Sequence, residues 1–427
     1  MIKARRGAAL TAVLAAGSLV LAACGGGAES DPNELRLWHY EAPDSAMGIA
    51  WSQAIKEFES THPGVKVKFE EKGFEQIQKT APMVLNSKDA PDVMEYNKGN
   101  ATAGMLSRQG LLEDMSAEVT KRGWDKMLPA NVQVTSKYDA KGTMGGDKWF
   151  GVPNYAEYVQ VYYNKDLFDK HGVKVPTTFA EFTAALDTFV GKGVTPLTNA
   201  GAEYMAHQFV YQLALDKADR AWVDAFQRYT AKTSFTDPAW TYGAATFADW
   251  VKKGYVAKDS VGLKAEDAGV AFMQGKFPMM FSGSWWFGRV AKEAQFEWDT
   301  FTWPGAKLTP GSGGNLWVVP KGSKNKKLAY DFIEITMKKH IQNALGNAGG
   351  IPVAADSSAI TNPKAKKLID NFNTLAQNDG LAYYPDWPVA GFYDKWVSEV
   401  QKLMNGRGTP AQILGEVQRA YDDGLPK

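Results

Sequence analysis

The sequence predicts an α/β protein of two domains, and three observations carry that reading. Near the start a strand, a helix and a second strand succeed one another over about thirty residues, the βαβ unit of an α/β domain. The chain has 427 residues, more than one hydrophobic core normally serves. No linker rich in Pro, Gly or Ser divides it, so two domains in this chain imply one that crosses between them more than once.

Lys3, Arg5 and Arg6 precede an apolar run that ends at Leu21-Ala22-Ala23-Cys24; a basic start, an apolar stretch and small residues at the cut site describe a secretory signal over residues 1–23. Residues 24–32, opening Cys24-Gly25-Gly26-Gly27, read as a flexible tether. Leu35 to Trp38 forms the first strand, followed by a polar loop from His39 to Ser45. Met47, Ala50, Trp51, Ala54, Ile55 and Phe58 then recur at helical spacing. Pro63-Gly64 breaks the chain, and Val65, Val67 and Phe69 alternate with lysines as a half-exposed strand. Further helices begin at capping chemistry: Thr178 with Glu181, Thr409-Pro410 with Gln412, and Asn362-Pro363.

Composition excludes several classes. Removing Lys3, Arg5 and Arg6 from the 48 Lys and Arg leaves 45 against 47 Asp and Glu, a balance with no footprint for nucleic acid. After the signal no segment approaches the roughly 18 consecutive apolar residues of a spanning helix. Cys24 is the one cysteine, so no internal disulfide and no thiolate metal site can form. The five histidines, His39, His62, His171, His207 and His340, lie far apart and build no His-Glu-x-x-His motif. Gly269 to Lys276 is a faulty phosphate loop, one residue too long with Phe277 where Ser or Thr is needed. No catalytic residue, metal or cofactor is therefore expected, and binding is favoured over catalysis. Aromatic residues make up 12% of the chain, and several stand in loops beside Gly, Pro, Asp or Asn: Tyr40, Trp285-Trp286, Tyr383-Tyr384 and Trp387. Flat rings with polar neighbours suit a sugar, whose C–H faces stack while its hydroxyls hydrogen-bond.

Two resemblances sharpen this. Cys24 directly after Leu-Ala-Ala resembles the bacterial lipoprotein box, which implies removal of the signal and a lipid anchor at Cys24 on the outer face of the cell membrane. Trp149-Phe150-Gly151-Val152-Pro153, running on to Val161-Tyr162-Tyr163-Asn164-Lys165-Asp166-Leu167-Phe168, resembles the solute-binding lipoproteins of ABC importers, in the carbohydrate branch that includes maltodextrin-binding proteins. Ala90-Pro91-Asp92-Val93, then Ala271-Phe272-Met273-Gln274-Gly275-Lys276 with Gly283-Ser284-Trp285, then Trp303-Pro304-Gly305 continue the resemblance in family order.

The resemblance implies a type II periplasmic-binding-protein-like fold, with a ligand cleft between two α/β lobes. Lobe 1 is expected over residues 33–153 and 304–350, and lobe 2 over 154–303 and 351–427. It implies a substrate-binding component of an ABC sugar importer, which captures a mono- or oligosaccharide by lobe closure and delivers it to a membrane permease; the chain carries no coiled-coil or swapping signal, and a monomer is expected. The ligand-binding residues it implies are Tyr40 and Glu41 after the first strand, Tyr96 and Asn97 after the strand entering the cleft, and Glu157 just past the first crossing. Trp285 with its neighbour Trp286, Gly314 and Asn315 at the returning turn, and Trp387 complete the set. Two alternatives stay open. Lys98 and Arg289 near these segments would suit a phosphorylated or otherwise non-sugar solute, and Glu41 with Glu157 would suit an exported glycoside hydrolase.

Overall fold

Residues 31–426 are described by a computed structural model. The signal segment, Cys24 and the tether up to Ser30 lie outside the described residues.

The expected βαβ unit opens the fold. Strand β1 (Glu34–His39) leads into a helix, Ala46–Thr61, and then into β2 (Lys66–Glu71), which pairs with β1 in parallel with Glu34 opposite Lys66. Ser45 caps the helix by accepting from the Gly48 N–H at 2.9 Å, satisfying one of the donors a helix start leaves free. The capping boxes at Thr178–Glu181 and Thr409–Gln412 both form, and Asn362 caps its helix from Lys364 and Ala365.

Two mixed sheets organise the chain. The first adds β3 (Val93–Tyr96) in parallel to β1; a small hairpin, β4 (Lys137–Tyr138) with β5 (Lys148–Trp149), stands apart from it. At its far edge are β6 (Val152–Pro153) and β12 (Leu316–Val318), giving the order β2-β1-β3-β12-β6. The second sheet is built on β7 (Ala156–Asn164), buried along its whole length. Beside β7 run β9 (Met279–Gly283) and β10 (Trp298–Phe301), with β8 (Leu197–Thr198) parallel to β9, in the order β10-β7-β9-β8. Strand β11 (Gly311–Gly313) pairs antiparallel with the start of β7, Ser312 opposite Glu157. Helices cover these sheets, and their apolar faces fill the cores.

Each lobe is thus one sheet with its helices, and the chain passes between them in short steps. Only Asn154 and Tyr155 separate β6 from β7, and only Gly314 and Asn315 separate β11 from β12. The two crossings lie side by side: the Asn154 N–H donates to the Asn315 carbonyl at 3.1 Å, and the Gly314 N–H to the Tyr155 carbonyl at 2.7 Å. Ile351 makes a third link, its carbonyl accepting from the Ala156 N–H at 2.8 Å. The return therefore falls at Gly314, not at residue 304. The segment expected in lobe 1 from 304 onward stays with the second sheet through β11, because backbone bonds to β7 and to Gly380, Ala382 and Tyr383 hold it there.

The core of the first lobe turns on Trp317 in β12, fully buried between Trp51 and Phe332 with ring centroids 5.4 Å from each. Truncating a buried tryptophan removes its transfer energy and leaves a cavity. Trp317→Ala is expected to cost about 3–5 kcal/mol of unfolding free energy, measured by urea titration with an unchanged m-value.

Candidate functional site

The cleft between the sheets holds a cavity of about 470 Å³, within the range of about 300–1,000 Å³ typical of small-molecule sites. Strand ends build its floor. The loop after β1 brings Tyr40 and Glu41, the segment after β3 brings Asn97 and Lys98, and the crossings bring Tyr155, Glu157, Ser312 and Asn315. The second lobe adds Tyr204 and Gln208 from the helix Tyr204–Leu215, Trp285 and Trp286 after β9, and the loop from Tyr383 to Trp387.

Eight of the ten residues implied for the site line this cavity: Tyr40, Glu41, Asn97, Glu157, Trp285, Trp286, Asn315 and Trp387. Tyr96 and Gly314 do not. Tyr96 is fully buried in the apolar cluster beside Met94 and Ile77, because side chains alternate along β3 and its face is the one packed beneath the sheet. Gly314 lies behind the wall; a Cβ there would come within 2.8 Å of the Tyr155 ring, so the glycine lets that ring, not a ligand, approach the crossing. Among the lining residues not singled out from sequence are Tyr155, Tyr204, Gln208 and Tyr393. Nothing in linear spacing marks them, since their helices and crossings meet only in the fold.

The indoles are held firmly. Trp285 and Trp286 both donate Nε1–H to the Tyr204 hydroxyl, at 3.1 and 3.2 Å. Gly283 makes room for this, because a Cβ there would overlap the Trp285 ring. Trp387 stacks on Tyr393 with centroids 4.6 Å apart and planes 11° from parallel. At the cleft mouth the lobes touch: Asn100 Nδ2 donates to the Gln227 carbonyl at 2.8 Å, and the Ala101 N–H to the Trp387 carbonyl at 3.1 Å. Gly99, at φ +128°, takes a conformation suited to glycine while passing close under Trp387.

Charge at the centre is concentrated and paired. The Lys98 ammonium donates to Glu157 Oε1 across the cleft and sits 4.7 Å over the Tyr384 ring. Both side chains are almost fully enclosed, and removing either partner would strand a buried charge. Beneath the floor Glu95 is fully buried and accepts from Asn154 Nδ2 at 3.0 Å. Burial pushes the Glu95 carboxyl up to about 7. Burial first, then the charge of Glu95 and a hydrogen bond with it, hold the Glu41 carboxyl well above the ordinary range. Burial and their mutual repulsion thus disfavour ionisation of both carboxyls at once. Burial likewise raises the phenols of Tyr40, Tyr155 and Tyr384, with Glu157 adding to each, so they remain donors. His39, buried and stacked on Phe69, is driven down to about 3 by burial and stays neutral, its Nδ1 accepting from the Glu41 N–H at 3.3 Å. It orients the loop and does not line the cavity. Arg289, the other cation considered for a phosphorylated ligand, is held by both oxygens of Glu266 at 2.8 and 2.9 Å. Among the described residues no group of His, Cys, Asp and Glu is arranged to hold a metal ion.

Two α/β lobes joined by paired crossings, with a ring- and carboxyl-lined cavity at the join, define a two-lobed solute-binding protein. The sequence pattern of bacterial extracellular solute-binding proteins matches residues 53–372, and the chain belongs to that family. It is 26% identical over 353 residues to the multiple sugar-binding protein of Streptococcus mutans, spanning 79% of this chain and 80% of that one. Identity to the diacetylchitobiose binding protein DasA of Streptomyces coelicolor is 26% over 366 residues, 80% of each chain. Among solved structures a chitin oligosaccharide binding protein superposes with a TM-score of 0.78 at 22% identity, covering 92% of this chain and 98% of that one.

The Glu95 value has a consequence for stability. A carboxyl raised from the ordinary 4.5 to about 7 keeps its proton in the native chain where the unfolded chain has lost it. Its stabilisation is full below the unfolded value and is lost as pH rises through about 7. The melting temperature is expected to rise from about pH 8 to about pH 5.5, and to rise less in Glu95→Gln, as scanning calorimetry of the two proteins would read.

Proposed function

We propose that this chain is the substrate-binding component of an ABC sugar importer, with a mono- or oligosaccharide as its cargo. The observation that carries the reading is the cavity itself: rings from both lobes face one another across a floor of carboxyl, amide and phenol groups. Such a wall offers stacking faces to sugar C–H groups and both donors and acceptors to hydroxyls. The names of the curated relatives, among them a multiple sugar-binding and a diacetylchitobiose binding protein, support the same cargo class. Lys98 and Arg289 are already engaged by Glu157 and Glu266, which argues against a phosphate group as the main determinant.

The working cycle is binding without chemistry. An open form takes sugar onto one lobe, and rotation about the paired crossings brings the second wall onto it. Only the closed form makes both sets of contacts, so ligand shifts the population toward closure. A membrane permease then recognises the closed shape. The lobes divide near Asn154–Tyr155 and Gly314–Asn315, and Cys24 serves as the lipid anchor that keeps the chain, a monomer, at the outer face of the membrane.

Thermal shift of the soluble form, starting after Cys24, against a sugar library tests the reading. A sugar at a hundred times its Kd adds about 2.7 kcal/mol of apparent stability, a rise of about a few degrees in Tm. Trp285→Ala and Glu157→Gln are each expected to abolish that rise. A library-wide absence of shift, with a shift from peptides or metal chelates, would refute a sugar cargo.

A further inference from the structure

One end of the cavity has a character that sugar binding in general does not require. With Lys98 and Arg289 engaged by Glu157 and Glu266, and the Glu41 carboxyl on the floor held well above its ordinary range by burial, the acids left on the wall are Glu75, Glu203 and Asp386, against Lys264 alone. They come from both sides of the cleft. Glu75 belongs to the helix Phe74–Leu85 of the first lobe, where exposed Lys79 donates to its Oε2 at 3.5 Å. Glu203 stands at the start of the helix Tyr204–Leu215 and accepts from the Ala265 N–H at 2.8 Å. Asp386 is buried, and His207 Nε2 holds its Oδ1, which leaves Oδ2 without a partner at the cavity wall.

A separate observation points to a donor at this end. Gln208, 1% exposed and lining the same cavity, has a carbonyl oxygen with no hydrogen-bond partner. Around these acceptors lie the rings of Tyr393 and Trp387, stacked on one another, and of Tyr204. The cavity already holds one ammonium in such surroundings: Lys98 rests between the Glu157 carboxylate and the Tyr384 face. A carboxylate beside an aromatic face is the environment that stabilises a desolvated cation. Negative charge on opposite lobes also resists closure unless a cation enters between them.

Resting on the reading of this cavity as a sugar site, we propose that the cargo is a sugar bearing a free, protonated amine, received between Glu75, Glu203 and Asp386. The ammonium offers three donors and no acceptor, which matches Asp386 Oδ2 and the unpartnered carbonyl oxygen of Gln208 beside the charges of Glu75 and Glu203. Closure then brings Glu75 toward the amine from the first lobe while Glu203 and Asp386 hold it from the second, so the cargo's charge drives the lobes together.

The test is calorimetric titration below neutrality with matched sugars: neutral, N-acetylated, uronic-acid and free-amine forms of the same mono- and disaccharides, with spermidine as a sugar-free amine. The expected result is that free-amine sugars bind at least tenfold more tightly than their neutral and N-acetylated counterparts, and that the acids bind weakest. The paired substitution Glu203→Gln, Asp386→Asn is expected to shrink the amine preference at least tenfold in a protein whose Tm without ligand shows it folded. Neutral or N-acetylated sugars binding as tightly as the amines would overturn the proposal and leave the sugar importer reading intact. Spermidine binding with no sugar binding would overturn both, and an undiminished amine preference in the paired variant would overturn the placement of the amine.

Discussion

The paired crossings at Asn154–Tyr155 and Gly314–Asn315 constrain everything else in the cleft. Two backbone hydrogen bonds tie them into a short ribbon, and Asn315 Nδ2 reinforces it by donating to the Tyr155 hydroxyl at 2.9 Å. Glu157 lies two residues past the first crossing, and Ser312 two residues before the second. The central polar groups therefore stay in register with the join however the lobes rotate. The walls farther out, Trp285 on one side and Phe74 on the other, move with their own lobes. A site built this way has a fixed centre and a variable aperture.

Energetics at the centre favour preorganisation over raw attraction. Buried carboxyls are costly unless paired or protonated, and the cleft uses both remedies: Lys98 pairs with Glu157, and burial raises the Glu41 and Glu95 carboxyls toward the protonated form. The indoles are locked on Tyr204 and Trp387 on Tyr393, so little rotamer freedom remains to be lost when a ligand arrives. Contacts between Asn100 and Gln227, and between Ala101 and Trp387, put the lobes in touch at the mouth. Both are polar hydrogen bonds, which suits an interface that must open again.

Much of this was legible in the chain, and what was not has a physical reason. The βαβ opening could be read because helical and strand periods are local, and the capping boxes because their partners lie three residues apart. Glu157 and Trp285, named through motif resemblance, both line the cavity, at strand ends whose position follows from the fold. Tyr96 was misplaced by the period of two along β3: neighbouring Asn97 reaches the cavity while Tyr96 lies in the core. Residue 304 looked like the return to the first lobe, but pairing of β11 with β7 is a long-range fact that no local pattern encodes. Gln208 and Tyr393 belong to helices with unremarkable apolar faces, and only the assembly of the second lobe turns them toward the cleft.

A bound sugar is proposed to close the two lobes about the paired crossings. Small-angle X-ray scattering of the soluble chain, with and without a sugar that calorimetry shows to bind, tests it most directly. The account predicts a smaller radius of gyration on binding and a bound profile that matches the lobe-to-lobe contacts at Asn100 and Ala101. A profile unchanged by a bound sugar would contradict it.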